Sequence, residues 1–277
     1  MYKPEAMFKF EDTYGHGKRL HFIKQSIEDY CQQNKKSKQD IKILDIGCGT
    51  GIGITLPIAS LGYNIIGVDI DKNSIAWAKR ENIYPNAGFE CELLENLSHI
   101  NDFDIIIGSE VLEHISNPKE FLFLLRSRLK KNGIIVLTVP NGYGWFEFEK
   151  FLYEKCGLKY ILMVLHGIAM FLKHLLTRIR PIASEKQIKY SVPATLNEKD
   201  VHLQRFTLKR LNYLFLRSNL KSIKVCKATI FGGPISERLF GRCKTFLKLN
   251  NWLGDKLSYN LSIDWYFVLK EKHYGTK

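Results

Sequence analysis

Ile43-Leu44-Asp45-Ile46-Gly47-Cys48-Gly49-Thr50-Gly51-Ile52-Gly53 is the stretch on which the fold turns. The apolar run that begins at Ile41 is short and unbroken, as in a strand buried on both faces, and it leads straight into a glycine cluster. Glycines at 47, 49 and 51 let the backbone turn sharply and bring a ligand against bare amides near the start of a helix. A second apolar run, Asn64-Ile-Ile-Gly-Val-Asp69, ends in an acid 22 residues after Gly47. At that place a carboxylate can accept both hydroxyls of a ribose. Loop and acid together describe a nucleoside-binding switch point in an open α/β sheet.

Working outward, Leu20, Ile23, Ile27 and Tyr30 recur at helical spacing, and Lys35-Lys36-Ser37-Lys38 closes that helix in solvent. Residues 52–61 suit a helix with Pro57 in its first turn, and 72–81 suit another. A third strand falls at 88–94 and a fourth at Phe103-Asp-Ile-Ile-Ile-Gly108. Asn117-Pro118 supplies a cap and a first-turn proline for a helix through Leu129; Asn132-Gly133 stops it before a fifth strand, 134–139. This alternation predicts a parallel sheet with helices on both faces. After Pro140-Asn141 the rhythm breaks. The chain then reads as one domain: a helical lead-in (1–40), a core (41–141), a helical insertion (142–200), and a closing part (201–277) with a helix at 207–219 and strands at 222–229 and 264–270.

A dinucleotide fingerprint G-x-G-x-x-G fails in every register, because positions 52, 54 and 56 are Ile52, Ile54 and Leu56. Asp45, two residues before the first glycine, would oppose a pyrophosphate but suits a cationic amino-acid ligand. The string Asp45-Ile-Gly47-Cys-Gly49-Thr-Gly51, with Gly67-Val-Asp69 after it, resembles the first two motifs of the class I S-adenosylmethionine-dependent methyltransferases. Leu129-Lys-Lys-Asn-Gly-Ile-Ile-Val-Leu-Thr138 is similar to that family's glycine turn and fifth strand. The resemblance implies a Rossmann-like seven-stranded sheet with an antiparallel last strand and S-adenosylmethionine as cofactor. It further implies that Gly47, Cys48 and Gly49 meet the methionine part, Asp69 the ribose, and Ile70 the adenine. Many members carry an Asp after the third strand for the adenine amino group. Here Leu93 takes that place, which leaves backbone at Leu94, or Glu92 or Glu95, for the contact.

Ser109 and Glu110 follow the fourth strand, at the edge where ligands bind in such sheets. Glu110, Glu113 and His114 stand at i, i+3 and i+4, so one helical turn would place them on one side. Three readings stay open: an orienting network with Ser109 as cap, His114 as general base, or a divalent cation (Mg or Mn) on the three residues. The E-V-L-E-H string is similar to that of ubiquinone-biosynthesis O-methyltransferases, where the corresponding residues are linked to metal. His202-Leu-Gln-Arg205-Phe-Thr resembles a segment near the substrate mouth of small-molecule methyltransferases, making His202 a second candidate base. No [DN]-P-P-[FY] string follows the fourth strand, so O-methylation of a small acceptor ranks ahead of nucleic-acid methylation.

The 277 residues carry a net charge of +13, unevenly spread. Residues 1–149 hold 17 Lys/Arg against 20 Asp/Glu, and residues 150–277 hold 24 against 8. The basic half faces something anionic: an acidic or phosphorylated acceptor, a glycan or lipid-linked intermediate, a membrane surface or nucleic acid. Residues 160–189 join the chain's most apolar stretch to Arg178, Arg180, Lys186 and Lys189, a pattern for a lid, a dimer face or peripheral contact with the inner membrane face. Six scattered cysteines with no CxxC pair exclude a zinc ribbon and fit the reducing cytoplasm, and no secretory signal is visible. Two further classes stay in view, a nucleic-acid methyltransferase and a membrane-associated protein that binds the cofactor without chemistry.

Overall fold

The computed structural model describes residues 7, 11–97, 101–164, 167–168, 194–196 and 202–272. Seven strands form one sheet in the order β3-β2-β1-β4-β5-β7-β6. They are β1 (Lys42–Ile46), β2 (Asn64–Asp69), β3 (Ala87–Cys91), β4 (Phe103–Ser109), β5 (Leu129–Pro140), β6 (Leu220–Lys227) and β7 (Asp264–Glu271). Strands β1 to β5 pair in parallel, and β7 lies antiparallel between β5 and β6. The order reverses beside β1, which is the switch point anticipated from the glycine loop.

The apolar runs form the central strands because both sheet faces are covered. Ile43, Leu44, Ile105, Ile106, Ile107, Ile135 and Val136 have no measurable exposure. Helix α1 (His16–Asn34) buries Leu20, Ile23, Ile27 and Tyr30, the residues its periodicity picked out. One expectation fails at its end. Lys36 does not simply point into solvent: its Nζ lies 2.5 Å from Oδ1 of the fully buried Asp104. Asp104 also accepts from the Tyr30 hydroxyl, Lys130 Nζ and the Lys42 amide, which ties α1 to β1, β4 and β5. These bonds hold its carboxyl below the usual range against the opposing effect of burial.

Helices α2 (Thr55–Ser60), α3 (Lys72–Glu81) and α4 (Pro118–Ser127) join the parallel strands. Asp71 caps α3 through the Ser74 amide, and Asn117 caps α4 with Pro118 in its first turn. Beyond β5 come α5 (Trp145–Glu154) and α6, whose described helical residues are 158–164 and 167–168. Helix α7 (Leu208–Arg217) is capped by Thr207 and leads into β6, two residues earlier than the sequence suggested. Helices α8 (Pro234–Phe240) and α9 (Lys244–Lys256) fill the 231–263 connection to β7. No helix among the described residues is long and apolar enough to cross a membrane. Of the 160–189 segment, Tyr160, Ile161, Met163, Val164 and Ile168 are exposed, whereas Arg178, Arg180, Lys186 and Lys189 lie outside the described residues.

Candidate active site

Strand pairing lines up the functional edge. Ile46 is level with Gly108, Ser109 with Thr138, Pro140 with Asp264, and Trp265 with Lys227. The glycine loop, the Ser109–His114 segment and the two late insertions therefore all leave the sheet at one edge.

Gly47, Gly49 and Gly51 adopt φ of +70°, +55° and +73°, a left-handed run that side chains disfavour. A Cβ on Gly47 would sit 2.4 Å from Val111 Cγ2, and one on Gly51 would sit 2.7 Å from the Phe89 ring. The expectation of bare amides is corrected. Gly47 and Cys48 both donate to Val68 O, Gly51 donates to Cys48 O, and Thr50 donates to Ala194 O at 2.8 Å. Gly49 donates to Asp69 Oδ2 at 2.7 Å. With its donors spent inside the chain, the loop retains acceptor capacity for a ligand. That is the polarity for an ammonium and the wrong one for a phosphate.

Asp45 is fully buried, and its Oδ2 accepts from the Thr55 hydroxyl at 2.6 Å. Burial, aided by the nearby Asp69 charge and opposed by the Thr55 bond, pushes its carboxyl up to about 7. Burial, with Asp45 and Asp69 nearby, likewise raises the Cys48 thiol. Asp69 takes the Gly49 amide on one oxygen and the Asp71 amide on the other, at 2.8 Å. Its lone pairs outnumber those two bonds, so capacity for ribose hydroxyls remains. Ile70 beside it is 62% exposed, an apolar platform at the position expected for adenine.

After β3 the positions separate. Leu93 is half exposed, while Leu94 is buried and its carbonyl accepts from Arg128 Nη2 at 2.8 Å. The Glu92 carboxylate is bound to the Leu93 amide and Asn96 Nδ2. The Leu94 carbonyl and the Glu92 carboxylate are thus already engaged in holding this turn.

The 110–114 segment departs from a single helical face. Glu110 sits at φ +56°, outside the short 3-10 turn Leu112–His114. Its Oε1 accepts from the Thr138 hydroxyl at 2.7 Å, and its Oε2 lies 3.7 Å from Arg19. Arg19 also reaches Asp264 at 3.0 Å, so Arg19 of α1 and Thr138 of β5 hold Glu110 while the other two residues gather elsewhere. Burial and the Glu110 charge push Asp264 up to about 8, although Arg19 opposes them. Ser109 shares a 2.9 Å hydrogen bond with Thr138 and caps nothing.

Glu113 instead meets His114 and His202. One donor atom from each of the three lies within 4.8 Å of the others, so the metal-ligand set expected from the sequence loses Glu110 and gains His202. The two imidazoles meet edge to face at 4.9 Å between centroids. The amides of Leu203 and Gln204 both donate to Glu113 O at 2.9 Å, which fixes the His202 segment on the 3-10 turn. Both Glu113 carboxylate oxygens are buried without a hydrogen-bond partner. Burial, reinforced by Glu110, raises this carboxyl well above the usual range. A buried acid of this kind holds a proton or meets a cation.

Sequence reasoning found His202 through its segment but not its pairing with Glu113. It missed Thr50, Thr55 and Thr138, whose hydroxyls fasten loop and edge. Nothing in the sequence pointed to Arg19 with Asp264, which are 245 residues apart.

The sheet order and antiparallel β7 define a Rossmann-like methyltransferase fold. Residues 17–225 match the family model described as "Methyltransferase domain", and the chain belongs to the class I S-adenosylmethionine-dependent methyltransferase family. It is 30% identical over 149 residues to the ubiquinone biosynthesis O-methyltransferase of Bradyrhizobium diazoefficiens, covering 52% of this chain and 57% of that protein. The corresponding protein of Rickettsia bellii is 31% identical over 127 residues, covering 44% of this chain and 50% of that one. The chain thus spans little more than half the length of these curated relatives. Two solved structures share the fold. An S-adenosylmethionine-dependent methyltransferase from Clostridium acetobutylicum has TM-score 0.52 at 11% identity, covering 97% of this chain and 96% of that one. The plantazolicin methyltransferase BpumL, in complex with a monoazolic desmethylPZN analog and SAH, has TM-score 0.52 at 19% identity, covering 92% of this chain and 84% of that one.

Proposed function

We propose that this protein transfers the methyl group of S-adenosylmethionine to an oxygen of a small anionic acceptor. The observation that carries the reading is the Gly49–Asp69 hydrogen bond, which makes the glycine loop and the ribose acid one unit. The residues fit the cofactor: acceptors in the loop for an ammonium, a carboxylate for ribose and exposed Ile70 for adenine. When bound, S-adenosylmethionine would supply an electrophilic sulfonium methyl for the acceptor oxygen, with S-adenosylhomocysteine as the leaving group. The protein's part is to hold the acceptor oxygen in line and to remove its proton.

His114 and His202, on the same edge one segment beyond Ser109, are the candidate bases, and the Glu113 carbonyl holds the His202 segment beside His114. The same three residues fit a divalent cation, because a buried carboxylate without a hydrogen-bond partner lies against two imidazoles, 3.6 Å from His114 Nε2. Nitrogen donors favour manganese, iron or zinc over magnesium. A bound cation would lower the pKa of the acceptor hydroxyl; Glu113, His114 and His202 would hold it.

The acceptor's negative charge is read from the basic C-terminal half and from Arg205, exposed beside the His202 segment and 3.4 Å from Glu147. Six unpaired thiols fit a reducing compartment such as the cytoplasm. The test is transfer of a labelled methyl group from S-adenosylmethionine to a panel of acidic phenols, sugar phosphates and lipid-linked glycans, with nucleic acid included. Label in an ether or ester of one small acid supports the reading. Label only in nucleic acid, or in an amine, overturns it.

A further inference from the structure

The connection between β6 and β7 is longer than the sheet requires, and nothing in the methyl-transfer site uses it. Its first helix is locked to α5 and its second to residues 230–231 at the start of the connection. Glu149 of α5 accepts from the amides of Ile235 and Ser236 and from Trp145 Nε1. Asn250 of α9 takes the Ile230 and Phe231 amides and donates to Phe231 O. On this frame five aromatic rings run in contact. Phe148 meets Trp145 at 5.3 Å between centroids, Trp145 meets Phe231 at 5.2 Å, Phe231 meets Phe246 at 6.1 Å, and Phe246 stacks on Phe240 at 4.6 Å. Both ends of the row reach the surface, with Phe148 51% and Phe240 44% exposed. Leu239, Leu249 and Trp252 lie exposed on the same helix pair.

At the Phe240 end of the row the charge has one sign, whereas at the Phe148 end α5 carries exposed Lys150 and Glu154, with Glu149 buried and Glu147 paired to Arg205. Residues 238–248, Arg-Leu-Phe-Gly-Arg-Cys-Lys-Thr-Phe-Leu-Lys, hold four cations and no acid, and Arg238, Arg242, Lys244 and Lys248 are all exposed. The neighbouring acid, Glu237, is turned inward to the Thr13 hydroxyl at 2.6 Å. We infer that the α5–α8–α9 aromatic face, with the cationic α8–α9 turn, docks on an anionic phospholipid bilayer.

Cations interleaved with leucine and phenylalanine suit a headgroup layer. The ammonium and guanidinium groups meet phosphates while the rings and leucines enter the boundary below. A protein-binding face would place its apolar residues centrally and be poor in lysine. The strand ends add a reason for the location. Both α5 and the α8–α9 pair leave the sheet at the edge that carries the glycine loop and His114, so docking would bring the candidate site to the lipid surface. That last point rests on the methyltransferase reading; lipid binding itself does not.

The test is sedimentation of the full chain with vesicles of phosphatidylcholine alone and of phosphatidylcholine mixed with phosphatidylglycerol. Binding to the mixed vesicles is expected, with loss as salt rises. Near an anionic surface each lysine or arginine contributes about fivefold in partition, so Arg242→Ala with Lys244→Ala should weaken binding roughly 25-fold. Leu239→Ser with Phe240→Ser should weaken it while the salt dependence persists. These residues are exposed and lie outside the methyl-transfer site, so an unchanged S-adenosylhomocysteine affinity confirms that each variant is folded. The inference is overturned by equal binding to the neutral vesicles or by no binding to either. It is also overturned if both double variants bind as the parent does, or if vesicle-free protein self-associates through this face.

Discussion

Asp69→Ala should separate the cofactor reading from a purely structural one. The carboxylate already accepts two backbone amides, from Gly49 at 2.7 Å and Asp71 at 2.8 Å. Hydrogen bonds to a charged group contribute about 1.5–3 kcal/mol each, less where solvent reaches them. Losing the two amide bonds should therefore cost about 1–3 kcal/mol of stability, a fall of roughly 2–10 °C in Tm for a chain of this size. Two ribose hydroxyls on the same carboxylate add a second loss that appears only in binding. Even one such bond at its lower limit is about tenfold in Kd. Calorimetric titration with S-adenosylhomocysteine below the variant's Tm should thus show affinity down at least about tenfold, with secondary structure retained. A lowered Tm with unchanged Kd would refute the argument, because Asp69 would then fasten the loop without touching the ligand.

Asp45→Asn tests the buried acid. Its carboxyl is raised to about 7, so between about pH 4 and 7 the unfolded chain gives up this proton before the folded one does, and stability falls as pH rises through that window. The variant keeps an acceptor for Thr55 and should gain stability over the parent by up to about 4 kcal/mol above pH 7, with no gain below pH 4; a gain that does not vary with pH in thermal melts would contradict this. Gly49→Val forces a side chain into φ +55° and against Ala194 O, 2.1 Å from the added Cβ. It should lose S-adenosylhomocysteine binding in the same calorimetry, and retained affinity would show that the loop adapts. His114→Ala and His202→Ala should each lower turnover by about 10²–10⁴-fold with cofactor affinity nearly constant. Chelation should reproduce that loss, and manganese restore it, if the two imidazoles and Glu113 hold a cation; near-normal turnover in both variants would exclude the cluster from catalysis.

Much of the fold was legible because local chemistry and tertiary structure agree. Strands buried on both faces are mostly apolar, so β1, β4 and the 134–139 part of β5 announced themselves despite the buried Asp45 and Asp104. Residues 129–133, read as a helix end and its stop, instead begin β5. Glycine is almost alone in tolerating the left-handed run at 47, 49 and 51, which made the loop readable from spacing. Long-range partners were less legible. Helical spacing put Glu110, Glu113 and His114 on one face, but a residue at φ +56° breaks that periodicity, and Arg19 and Thr138 draw Glu110 aside. The loop amides looked available because no pattern in the sequence says that Val68, Asp69 and Ala194 will use them. His202 was visible as a motif residue, whereas its place beside Glu113 depends on two backbone bonds across some ninety residues.

The most direct test of the central claim is calorimetric titration of the unmodified chain with S-adenosylmethionine, S-adenosylhomocysteine and NAD. A loop whose amides are all engaged and whose base holds a buried acid should bind the first two at a single site and show no competition from NAD. Tight NAD binding, with no heat from either methionine-derived nucleoside, would contradict the account at its root.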